Sequence, residues 1–501
     1  MFLDDPITHN AQASPDAQAL CMLGQGITYA ALNEQVDQFA TALLERSVAK
    51  GDRVIICVAK SPMAIAAIYA VLRIGAIYVP IDPAAPVERL ASQIAKVSPV
   101  LIIADATRLG AFADSAYNVP LLDLGQPMTG KTSPDKLRDR CAKRSADDPA
   151  YILMTSGTTG SPKGIVHTHK SGLAYAQMAA NLCALRSSDR VSHHTPAHFD
   201  MSIFDMFSTA LAGACVVIIP EMHAKLPASL SELTQSEGIT VWYSVPYALI
   251  QMVERGALAE RDLSVLRIVM FAGEKMPPAA LKAFSNHAPN AVFLNAYGPT
   301  ETNHCTTSVL KHDDLDGASP LPIGLPDVGV TARIGSDAAE APTGELLIAG
   351  DQVMSQYWNA PDQTAAAFCT LPDSSGQMLR FYCTGDIVRR TETGALMLIG
   401  RKDRQIKLRG YRIELDEVEL ALVNAPFVTE AVVIARDQAL RAFVTGASKC
   451  DLGQVKRQLE AVLPPYAVPQ HIEWLESMPR TSTGKIDRAK LVGKADEDRA
   501  A

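Results

Sequence analysis

Several features that would narrow the class of protein are missing from this sequence of 501 residues. No stretch of about 18 uninterrupted apolar residues occurs, so a membrane-spanning helix is not expected. None of the nine cysteines forms a CxxC pair, which argues against zinc ribbons and thioredoxin-like sites and favours reduced thiols. The formal net charge is −8, whereas a nucleic-acid-binding protein would normally carry a basic surface.

The N-terminal stretch MFLDDPITHN has neither a basic region nor an apolar run, so we expect no signal peptide and a cytoplasmic location. No internal repeat with a period of about 20 to 50 residues is apparent. The length predicts two or more domains, and the polar stretch 128–148 is typical of a surface connection.

Short apolar runs bounded by turn residues recur along the chain and predict strands that are buried on both faces. These runs are VIICVA at 54–59, VLIIA at 100–104, CVVIIP at 215–220 and VFLNAY at 292–297.

Longer Ala- and Leu-rich stretches with helical spacing lie between these runs. One covers residues 30–51 and is predicted to end at Gly51 as its C-cap. The next covers 61–75, with Ser61 as N-cap and Pro62 at the first helical position. Strands that alternate with helices predict an α/β fold of mostly parallel sheets flanked by helices.

A change of pattern near residue 402 predicts a domain boundary. The charged, glycine-flanked segment GRKDRQIKLRG at 400–410 precedes a helix signal, ELDEVELALVNA, and a strand signal, VTEAVVIAR. We therefore expect a large domain at 1–402 and a small α+β domain at 403–501.

The segment YILMTSGTTGSPKGIVH at 151–167 combines a buried strand with a Gly/Ser/Thr loop and one lysine. Such loops hold phosphates, because glycines let the backbone approach, amides and hydroxyls donate hydrogen bonds, and lysine supplies charge. The loop lacks the Gly-Lys-Ser/Thr string of the P-loop, since Pro162 precedes Lys163 and Gly164 follows it. The alternative is a flexible surface loop.

The string YILMTSGTTGSPKG resembles the phosphate-loop signature of the adenylate-forming (ANL) superfamily. That superfamily includes acyl-CoA synthetases, luciferases and the adenylation domains of nonribosomal peptide synthetases. Eight further segments resemble its motifs in order and extend the resemblance over essentially the whole chain. They are LRIGAIYVPIDPAAPVERL at 72–90, HFDMSIFDMF at 198–207, NAYGPTET at 295–302, GELLIAGDQVMSQYW at 344–358, YCTGDIVRR at 382–390, GRKDRQIKLRGYRIELDEVE at 400–419, LPPYAVP at 463–469 and PRTSTGKIDR at 479–488.

The resemblance implies a reaction in two halves. A carboxylate attacks the α-phosphate of ATP, releasing pyrophosphate, and a thiol then captures the acyl-adenylate. Glu301 is similar to the family's Mg²⁺ ligand, and Thr300 would contact the α-phosphate. The β- and γ-phosphates would be held by Thr155, Ser156, Gly157, Thr158, Thr159 and Lys163.

The resemblance also implies the nucleoside site. Asn295 and Tyr297 would hold adenine, by an amide hydrogen bond and by ring stacking. The carboxylate of Asp386 would accept hydrogen bonds from the ribose hydroxyls, and Arg401 would lie nearby. Each residue has an ordinary alternative. Without the surrounding motifs, a single tyrosine is usually a core residue, and an aspartate that follows glycine is usually a turn residue. The remaining ATP-site positions implied by the resemblance are Gly273, Ala296 and Gly298.

Lys485, in the loop TSTGKID, resembles the family lysine that bridges the substrate carboxylate and the α-phosphate. Within the family the small C-terminal domain rotates between the half-reactions, and Asp403 stands where the hinge lies. The segment KLRGYRIE at 407–414 would then form a tunnel for the thiol.

The string FDMS at 199–202 is similar to the family motif FDxS of amino-acid-activating members. The resemblance implies that Asp200 pairs with the α-ammonium group of an amino acid. A buried carboxylate needs a cationic partner, because an unpaired buried charge is costly. The alternative is that Asp200 caps a helix or pairs with a local lysine. The projected substrate pocket comprises Phe199, Asp200, Met201, Phe204, Tyr243, Met270, Ala272, Ala296, His304 and Cys305.

This projected pocket is small and mostly apolar, which favours a small neutral amino acid: proline first, then alanine. His304 is the misfit, because its ring could donate a hydrogen bond to a hydroxyl and keeps serine or threonine open. A metal site at the cluster His193, His194 and His198 is not favoured, because no helical His pair with a carboxylate appears.

No DxxLGGxS-like carrier string follows the last motif, so we expect the thiol to belong to a separate peptidyl carrier protein with a phosphopantetheine arm. We expect a monomer or weak dimer with no nucleic-acid or membrane partner. An acyl- or aryl-CoA ligase and a non-catalytic binding protein of the same fold remain the alternatives.

Replacing Lys485 by Ala should lower adenylate formation by orders of magnitude, because the attacking carboxylate and the α-phosphate lose the cation between them. Thiol transfer from preformed adenylate should survive, since that half-reaction does not use the lysine. Pyrophosphate exchange measures the first step and thioester formation the second. Unchanged adenylation would favour the non-catalytic alternative.

Overall fold

The computed structural model describes residues 1–113, 119–126, 137, 142–155, 162–335, 341–373, 375–436, 438–446, 451–480 and 486–500. The chain forms two compact units. The first comprises residues 1–83, 97–154 and 164–402, and the second comprises 84–96, 155–163 and 403–501. The roles predicted for domains 1–402 and 403–501 stay predictions.

The regular elements follow one another in a strand–helix alternation over the first part of the chain. The helices are α1 (Asp5–Ala13), α2 (Tyr29–Glu45), α3 (Pro62–Arg73), α4 (Val87–Val97), α5 (Ala106–Ala113), α6 (His169–Leu182), α7 (Met201–Ile203), α8 (Thr209–Leu211), α9 (Glu221–Ala224), α10 (Pro227–Ser236), α11 (Pro246–Arg255), α12 (Pro278–Ser285), α13 (Pro361–Ala366), α14 (Leu415–Val423), α15 (Leu452–Val462) and α16 (Arg488–Ala500). A π-helical turn, Phe204–Ser208, joins α7 to α8. Among the helices within the described ranges, none is both long enough and apolar enough to cross a bilayer.

The strands are β1 (Gln18–Met22), β2 (Gln25–Thr28), β3 (Arg53–Cys57), β4 (Ile77–Pro80), β5 (Leu101–Ala104), β6 (Leu121–Asp123), β7 (Pro149–Thr155), β8 (Lys163–Thr168), β9 (Arg190–His193), β10 (Cys215–Ile218), β11 (Val241–Ser244), β12 (Ile268–Phe271), β13 (Val292–Tyr297), β14 (Thr306–Leu310), β15 (Leu325–Pro326), β16 (Val330–Ile334), β17 (Thr343–Gly350), β18 (Gln356–Tyr357), β19 (Phe368–Pro372), β20 (Met378–Arg390), β21 (Leu396–Arg401), β22 (Gln405–Leu408), β23 (Tyr411–Glu414), β24 (Glu430–Arg436), β25 (Ala439–Thr445) and β26 (His471–Trp474).

Two large sheets of the first unit are mostly parallel. The nine-stranded sheet has the order β15-β14-β13-β12-β11-β9-β10-β1-β2, and its strands from β13 to β1 run parallel. The seven-stranded sheet has the order β18-β8-β7-β4-β3-β5-β6 and is parallel from β7 to β6. A third sheet, formed by β16, β17, β19, β20 and β21, is antiparallel. The predicted α/β class is confirmed.

The ends of α2 and α3 show how well local signals locate helices. Ser61 caps α3 as predicted, because its Oγ accepts a hydrogen bond of 3.1 Å from the Ala64 amide. The predicted C-cap of α2 at Gly51 is wrong. The helix stops at Glu45, and Ser47 takes the left-handed conformation (φ 61°) in a Schellman-type end. The buried side chain of Val48 stabilises this earlier stop.

The carboxyl ends of parallel strands β9, β11, β12 and β13 meet at one edge of the nine-stranded sheet. Open parallel sheets bind ligands at this edge, because the loops that leave it carry polar groups beyond a rigid core. The strands themselves are buried on both faces, as their apolar runs predict.

The main segment of the second unit, 403–501, has an α+β composition. The hairpin β22–β23 precedes α14, and the three-stranded sheet β24-β25-β26 packs with α14 and α15 around one apolar core. These helices and strands agree with the α+β structure predicted for this segment.

A buried ion cluster ties the N-terminus to α3 of the first unit. The Asp4 side chain is 3% exposed, and its carboxylate pairs with Arg73 and Arg144, each 4% exposed. Arg73 also pairs with Asp37 and Arg144 with Asp5, but both of those carboxylates are more than a third exposed, so the buried carboxylate of Asp4 compensates the two buried charges best.

Replacing Asp4 by Ala should lower the free energy of unfolding by about 3 kcal/mol, since two buried guanidinium groups lose their shared carboxylate. Urea denaturation followed by tryptophan fluorescence measures the change. The matched control is Asp351→Ala, which breaks an exposed pair with Lys170 and should cost at most about 1 kcal/mol. Equal losses in the two variants would contradict the buried-cluster argument.

Candidate active site

The predicted nucleoside residues come together at the edge of the nine-stranded sheet. Tyr297, the last residue of β13, donates a hydrogen bond of 2.5 Å from its hydroxyl to Asp386 Oδ2. Arg401 Nη1 donates to Asp386 Oδ1 at 2.7 Å, and these two residues are register partners in β20 and β21. Burial and the Asp386 carboxylate together hold the pKa of Tyr297 well above its ordinary value. The cluster is therefore a buried phenol–carboxylate–guanidinium chain.

Asn295 stands two residues before Tyr297 on β13, so both side chains lie on the same face of the strand. Its Nδ2 donates a hydrogen bond of 2.7 Å to the carbonyl of Pro322. Because Nδ2 is the donor in this bond, Oδ1 is left to accept a hydrogen bond. The exocyclic amine of a purine is a donor and would need such an acceptor.

Two glycines of the predicted set are required by space or by backbone conformation. A Cβ on Gly298 would lie 1.7 Å from the carbonyl oxygen of Asn303, so no other residue fits there. Gly273 has φ +97°, a conformation that L-residues rarely adopt. Gly273 follows β12 and Gly298 follows β13, so both lie in loops at the carboxyl ends of these parallel strands.

Thr300 and Glu301 lie in the loop after β13, where buried neighbours hold them. The Glu301 carboxylate is fully buried and accepts a hydrogen bond of 2.9 Å from the Tyr357 hydroxyl. His167 Nε2 donates to the carbonyl of Thr300 at 3.0 Å, and the ring of Tyr151 stacks on this imidazole. Burial lowers the pKa of His167 to about 4, so the ring is neutral at physiological pH.

The chemistry of Glu301 suits a hard divalent cation. Mg²⁺ is commonly held in proteins by one or two carboxylates together with phosphate oxygens and water. Among the described residues there is no group of three or more His, Cys, Asp and Glu side chains that could enclose a metal without such help. One buried carboxylate fixed by a tyrosine therefore fits a metal that arrives with a polyphosphate.

The predicted side-chain pocket is lined by rings that meet edge to face. Phe204 and Tyr243 have ring centroids 5.4 Å apart at 88°, and Tyr243 and His304 are 6.5 Å apart at 86°. Met270, Ala272, Ala296 and Cys305 are buried on the adjoining strands and loop. These side chains pack into one buried and mostly apolar cluster, which we call the ring wall; its role as the wall of a substrate pocket stays a prediction.

Asp200 lies beside this wall. Burial raises the pKa of Tyr243 well above its ordinary value, and the charge of Asp200 is the next largest cause. Asp200 is the residue before α7, yet within the described chain its side chain makes no capping hydrogen bond to that helix. The helix-cap alternative for Asp200 is therefore wrong. Met201 and Phe199, its neighbours in sequence, complete this side of the site.

The histidines near this segment have structural partners. His193 Nδ1 lies 3.0 Å from Asp205 Oδ2, on the π-helical turn, and both side chains are buried. Lys60 donates to the backbone carbonyls of His193 and His194. The contact of His193 with Asp205 holds the π-helical turn after Asp200 against β9.

Part of the predicted site lies outside the described residues: Ser156, Gly157, Thr158, Thr159 and Lys485. Thr155 ends β7 and Lys163 begins β8, so the described strands flank the predicted phosphate loop on both sides. Asp403 Oδ1 accepts a hydrogen bond of 3.2 Å from the Gln405 amide, and its role as hinge stays a prediction.

Sequence reasoning did not identify Tyr357 and His167 as supports of this site. Tyr357 stands inside the matched segment GELLIAGDQVMSQYW, and His167 follows the phosphate loop. Both residues lie in or next to recognisable motifs, but only the fold shows that each contacts the loop of Thr300 and Glu301.

Comparison with protein families gives two matches. A model described as AMP-binding enzyme matches residues 7–358, and one described as AMP-binding enzyme C-terminal domain matches residues 417–485. Together these matches cover most of the chain and agree with the resemblance drawn from its motifs.

Two curated relatives differ greatly in length. A linear gramicidin synthase protein from Brevibacillus parabrevis is 37% identical over 494 residues, which are 96% of this chain but only 6% of that protein. An L-proline–[L-prolyl-carrier protein] ligase from Pseudomonas fluorescens is 32% identical over 510 residues, which are 98% of each protein. The second relative is thus matched along its whole length.

A similar fold is found in the solved structure of a nonribosomal peptide synthetase protein that contains adenylation and PCP domains, bound to a vinylsulfonamide inhibitor. The TM-score is 0.83 at 26% identity, and the match covers 98% of this chain and 84% of that chain.

Replacing Tyr357 by Phe should raise the Mg²⁺ concentration needed for half-maximal ATP–pyrophosphate exchange, by about tenfold. The reason is that Glu301 loses the hydrogen bond that orients its carboxylate, and such bonds to charged groups contribute roughly 1.5–3 kcal/mol. The control is Tyr29→Phe, which removes an equally buried hydrogen bond, 2.7 Å to the Ala214 carbonyl. An unchanged Mg²⁺ dependence would show that Tyr357 does not position Glu301.

Proposed function

The chain belongs to the AMP-binding enzyme family, and from this membership we propose that it is an amino acid–carrier protein ligase. The reaction uses ATP to convert a small neutral amino acid, proline first, to the aminoacyl-AMP with release of pyrophosphate. The aminoacyl group then passes to the phosphopantetheine thiol of a separate peptidyl carrier protein.

The observation that carries this proposal is the position of Asp200 at the apolar ring wall of Phe204, Tyr243 and His304. A carboxylate beside buried rings is stabilised by a cation that binds next to it. The α-ammonium of an amino acid supplies that cation, and the apolar wall suits a small side chain without charge. The full-length match to a relative named as a proline ligase supports the same substrate class.

The electrostatic problem of the first half-reaction is to bring a carboxylate to a polyphosphate. Lys163 and the hydroxyls and amides of 155–159 would bind the β- and γ-phosphates, and Lys485 would bind between the two reacting anions. Glu301 would hold Mg²⁺, which neutralises charge on the phosphates. Thr300 would contact the α-phosphate through its hydroxyl.

The nucleoside half of ATP would bind where Asn295, Tyr297 and Asp386 meet. Asn295 Oδ1 accepts from the adenine amine, and the Tyr297 ring stacks on the base. The Asp386 carboxylate, held by Tyr297 and Arg401, faces the ribose hydroxyls as an acceptor. These contacts orient the α-phosphate for in-line attack.

In the second half-reaction the thiolate attacks the aminoacyl carbonyl, the new C–S bond forms, and AMP leaves with the bonding electron pair. We assign Asp403 as the hinge at which residues 403–501 rotate between the two steps, and 407–414 as the wall of the thiol tunnel.

An ATP–pyrophosphate exchange screen over the twenty amino acids tests the proposal. Proline should support the fastest exchange. Exchange with fatty or aryl acids alone would favour the CoA ligase alternative, and no exchange with any acid would favour a binding protein. Thioester formation on a purified holo-carrier protein tests the acceptor.

Replacing Asp200 by Ala should raise the KM for the amino acid by about 100-fold, because Asp200 is half-buried and losing one partner of a charge pair that bound substrate would enclose typically costs about 2–5 kcal/mol. The KM for ATP should not change, which makes it the internal control. Asp200→Asn keeps the shape and removes the charge, so it should resemble the Ala variant. An amino-acid KM unchanged in both variants would refute the ammonium contact.

A further inference from the structure

His167 joins the seven-stranded sheet to the loop that follows β13 of the nine-stranded sheet. The residue lies on β8 and is fully buried, and its Nε2 is 3.0 Å from the carbonyl oxygen of Thr300. A carbonyl oxygen only accepts hydrogen bonds, so Nε2 carries a proton and donates it. Of the described groups, this imidazole is the one donor to the Thr300 carbonyl. The bond therefore links the two large sheets at the candidate site.

Two neighbours hold the imidazole from the side of its own sheet. The ring of Tyr151, on β7, stacks on it with centroids 5.0 Å apart and an interplanar angle of 17°. Nδ1 lies 3.3 Å from the hydroxyl of Ser171, which also lies 3.2 Å from the carbonyl of Thr168. The stack fixes the plane of the ring, whichever acceptor the Ser171 proton takes. The direction of the Nε2–H bond is thus set by β7 and β8 and not by the loop.

The carbonyl of Thr300 belongs to the peptide group that joins Thr300 to Glu301. Because this group is planar, a hydrogen bond that fixes its carbonyl also fixes the rotation of the whole plane. The plane contains the Cα atoms of both residues. Its rotation therefore sets the directions in which the side chains of Thr300 and Glu301 leave the backbone.

Two further bonds hold Glu301, but they act on other parts of the residue. The Met354 amide donates to the Glu301 carbonyl at 2.7 Å, which belongs to the next peptide group. The Tyr357 hydroxyl donates to the carboxylate at 2.9 Å, at the far end of the side chain. The bond from His167 is the one that acts on Thr300 and Glu301 together.

We propose that His167 is a positioning residue for Mg–ATP binding and adenylation, because its Nε2–H sets the Thr300–Glu301 peptide in the rotation that aims both side chains at the polyphosphate. The inference rests on the proposed function, in which Thr300 contacts the α-phosphate and Glu301 holds Mg²⁺. Groups that bind a ligand need such support, since small errors in their direction weaken binding and slow the reaction.

Three substitutions of His167 separate its donor from its ring. His167→Phe keeps an aromatic ring against Tyr151 but has no N–H group. His167→Gln places an amide nitrogen as many bonds from the backbone as Nε2, and His167→Asn carries the same amide one methylene shorter. We therefore expect His167→Gln to keep the bond to the Thr300 carbonyl, and His167→Phe and His167→Asn to lose it.

The measurements are the Kd of Mg–ATP by titration calorimetry and the kcat of ATP–pyrophosphate exchange with proline. His167→Phe and His167→Asn should raise the Kd about fivefold and lower kcat about 30-fold, since misdirected groups lose most in the transition state. His167→Gln should stay within about threefold of the unaltered enzyme in both, because the bond is retained. The KM for proline should not change.

A purely structural role of His167 predicts a different result. The folded enzyme would then show the same Kd and the same kcat in all three variants, which would overturn the inference. Equal losses in His167→Gln and His167→Asn would also overturn it, because these two differ only in reach. If His167→Phe does not fold, the comparison of His167→Gln with His167→Asn decides.

The matched control is His169→Phe. This imidazole is also fully buried, but its Nδ1 accepts a hydrogen bond of 3.3 Å from the Leu3 amide, and none of its described contacts reaches the loop of Thr300. The Kd of Mg–ATP and kcat should therefore match those of the unaltered enzyme. A loss as large as in His167→Phe would overturn the inference, because any buried imidazole near the end of β8 would then have the same effect.

The outcomes also separate this inference from the proposed function. If the unaltered enzyme activates proline but His167→Phe and His167→Asn behave like it, this inference alone fails. If the unaltered enzyme activates no amino acid, the proposed function fails, and the Kd of Mg–ATP in the three variants still decides whether His167 positions Thr300 and Glu301.

Discussion

Buried carboxylates need donors, and this constraint organises the site at the edge of the nine-stranded sheet. Asp386 is held by Tyr297 and Arg401, and Glu301 is held by Tyr357. Arg401 stands opposite Asp386 on the next strand, whereas Tyr297 and Tyr357 come from distant parts of the sequence. Because a buried charge without a partner costs several kcal/mol, these pairs fix the loops as firmly as apolar packing fixes the strands.

The same constraint separates the two ends of the amino-acid site. In the proposed amino-acid site, Asp200 would supply a carboxylate for a cationic group, beside the buried rings of Phe204, Tyr243 and His304. The imidazole of His304 packs among these rings, and its Nδ1 lies 3.1 Å from the Tyr175 hydroxyl.

The α/β class and the order of the motifs followed from local patterns, because a strand buried on both faces must be apolar and a helix N-cap needs a side-chain acceptor. Ser61 is such a cap, and its position was predicted correctly. The end of α2 was not, because Ser47 takes the left-handed conformation that glycine usually supplies. Burial of Val48 decides that turn, and burial is a property of the fold.

The sequence by itself determined the superfamily and the α/β class, since these follow from short strings; the phosphate and pocket residues that it points to stay predictions. Only the tertiary structure decided which side chains support them. Tyr357 and His167 lie far along the chain from Glu301 and Thr300, which they contact, and a lone tyrosine or histidine in a sequence carries no sign of its partner. Hydrogen bonds form between groups that are neighbours in space, and the tertiary fold decides which groups those are.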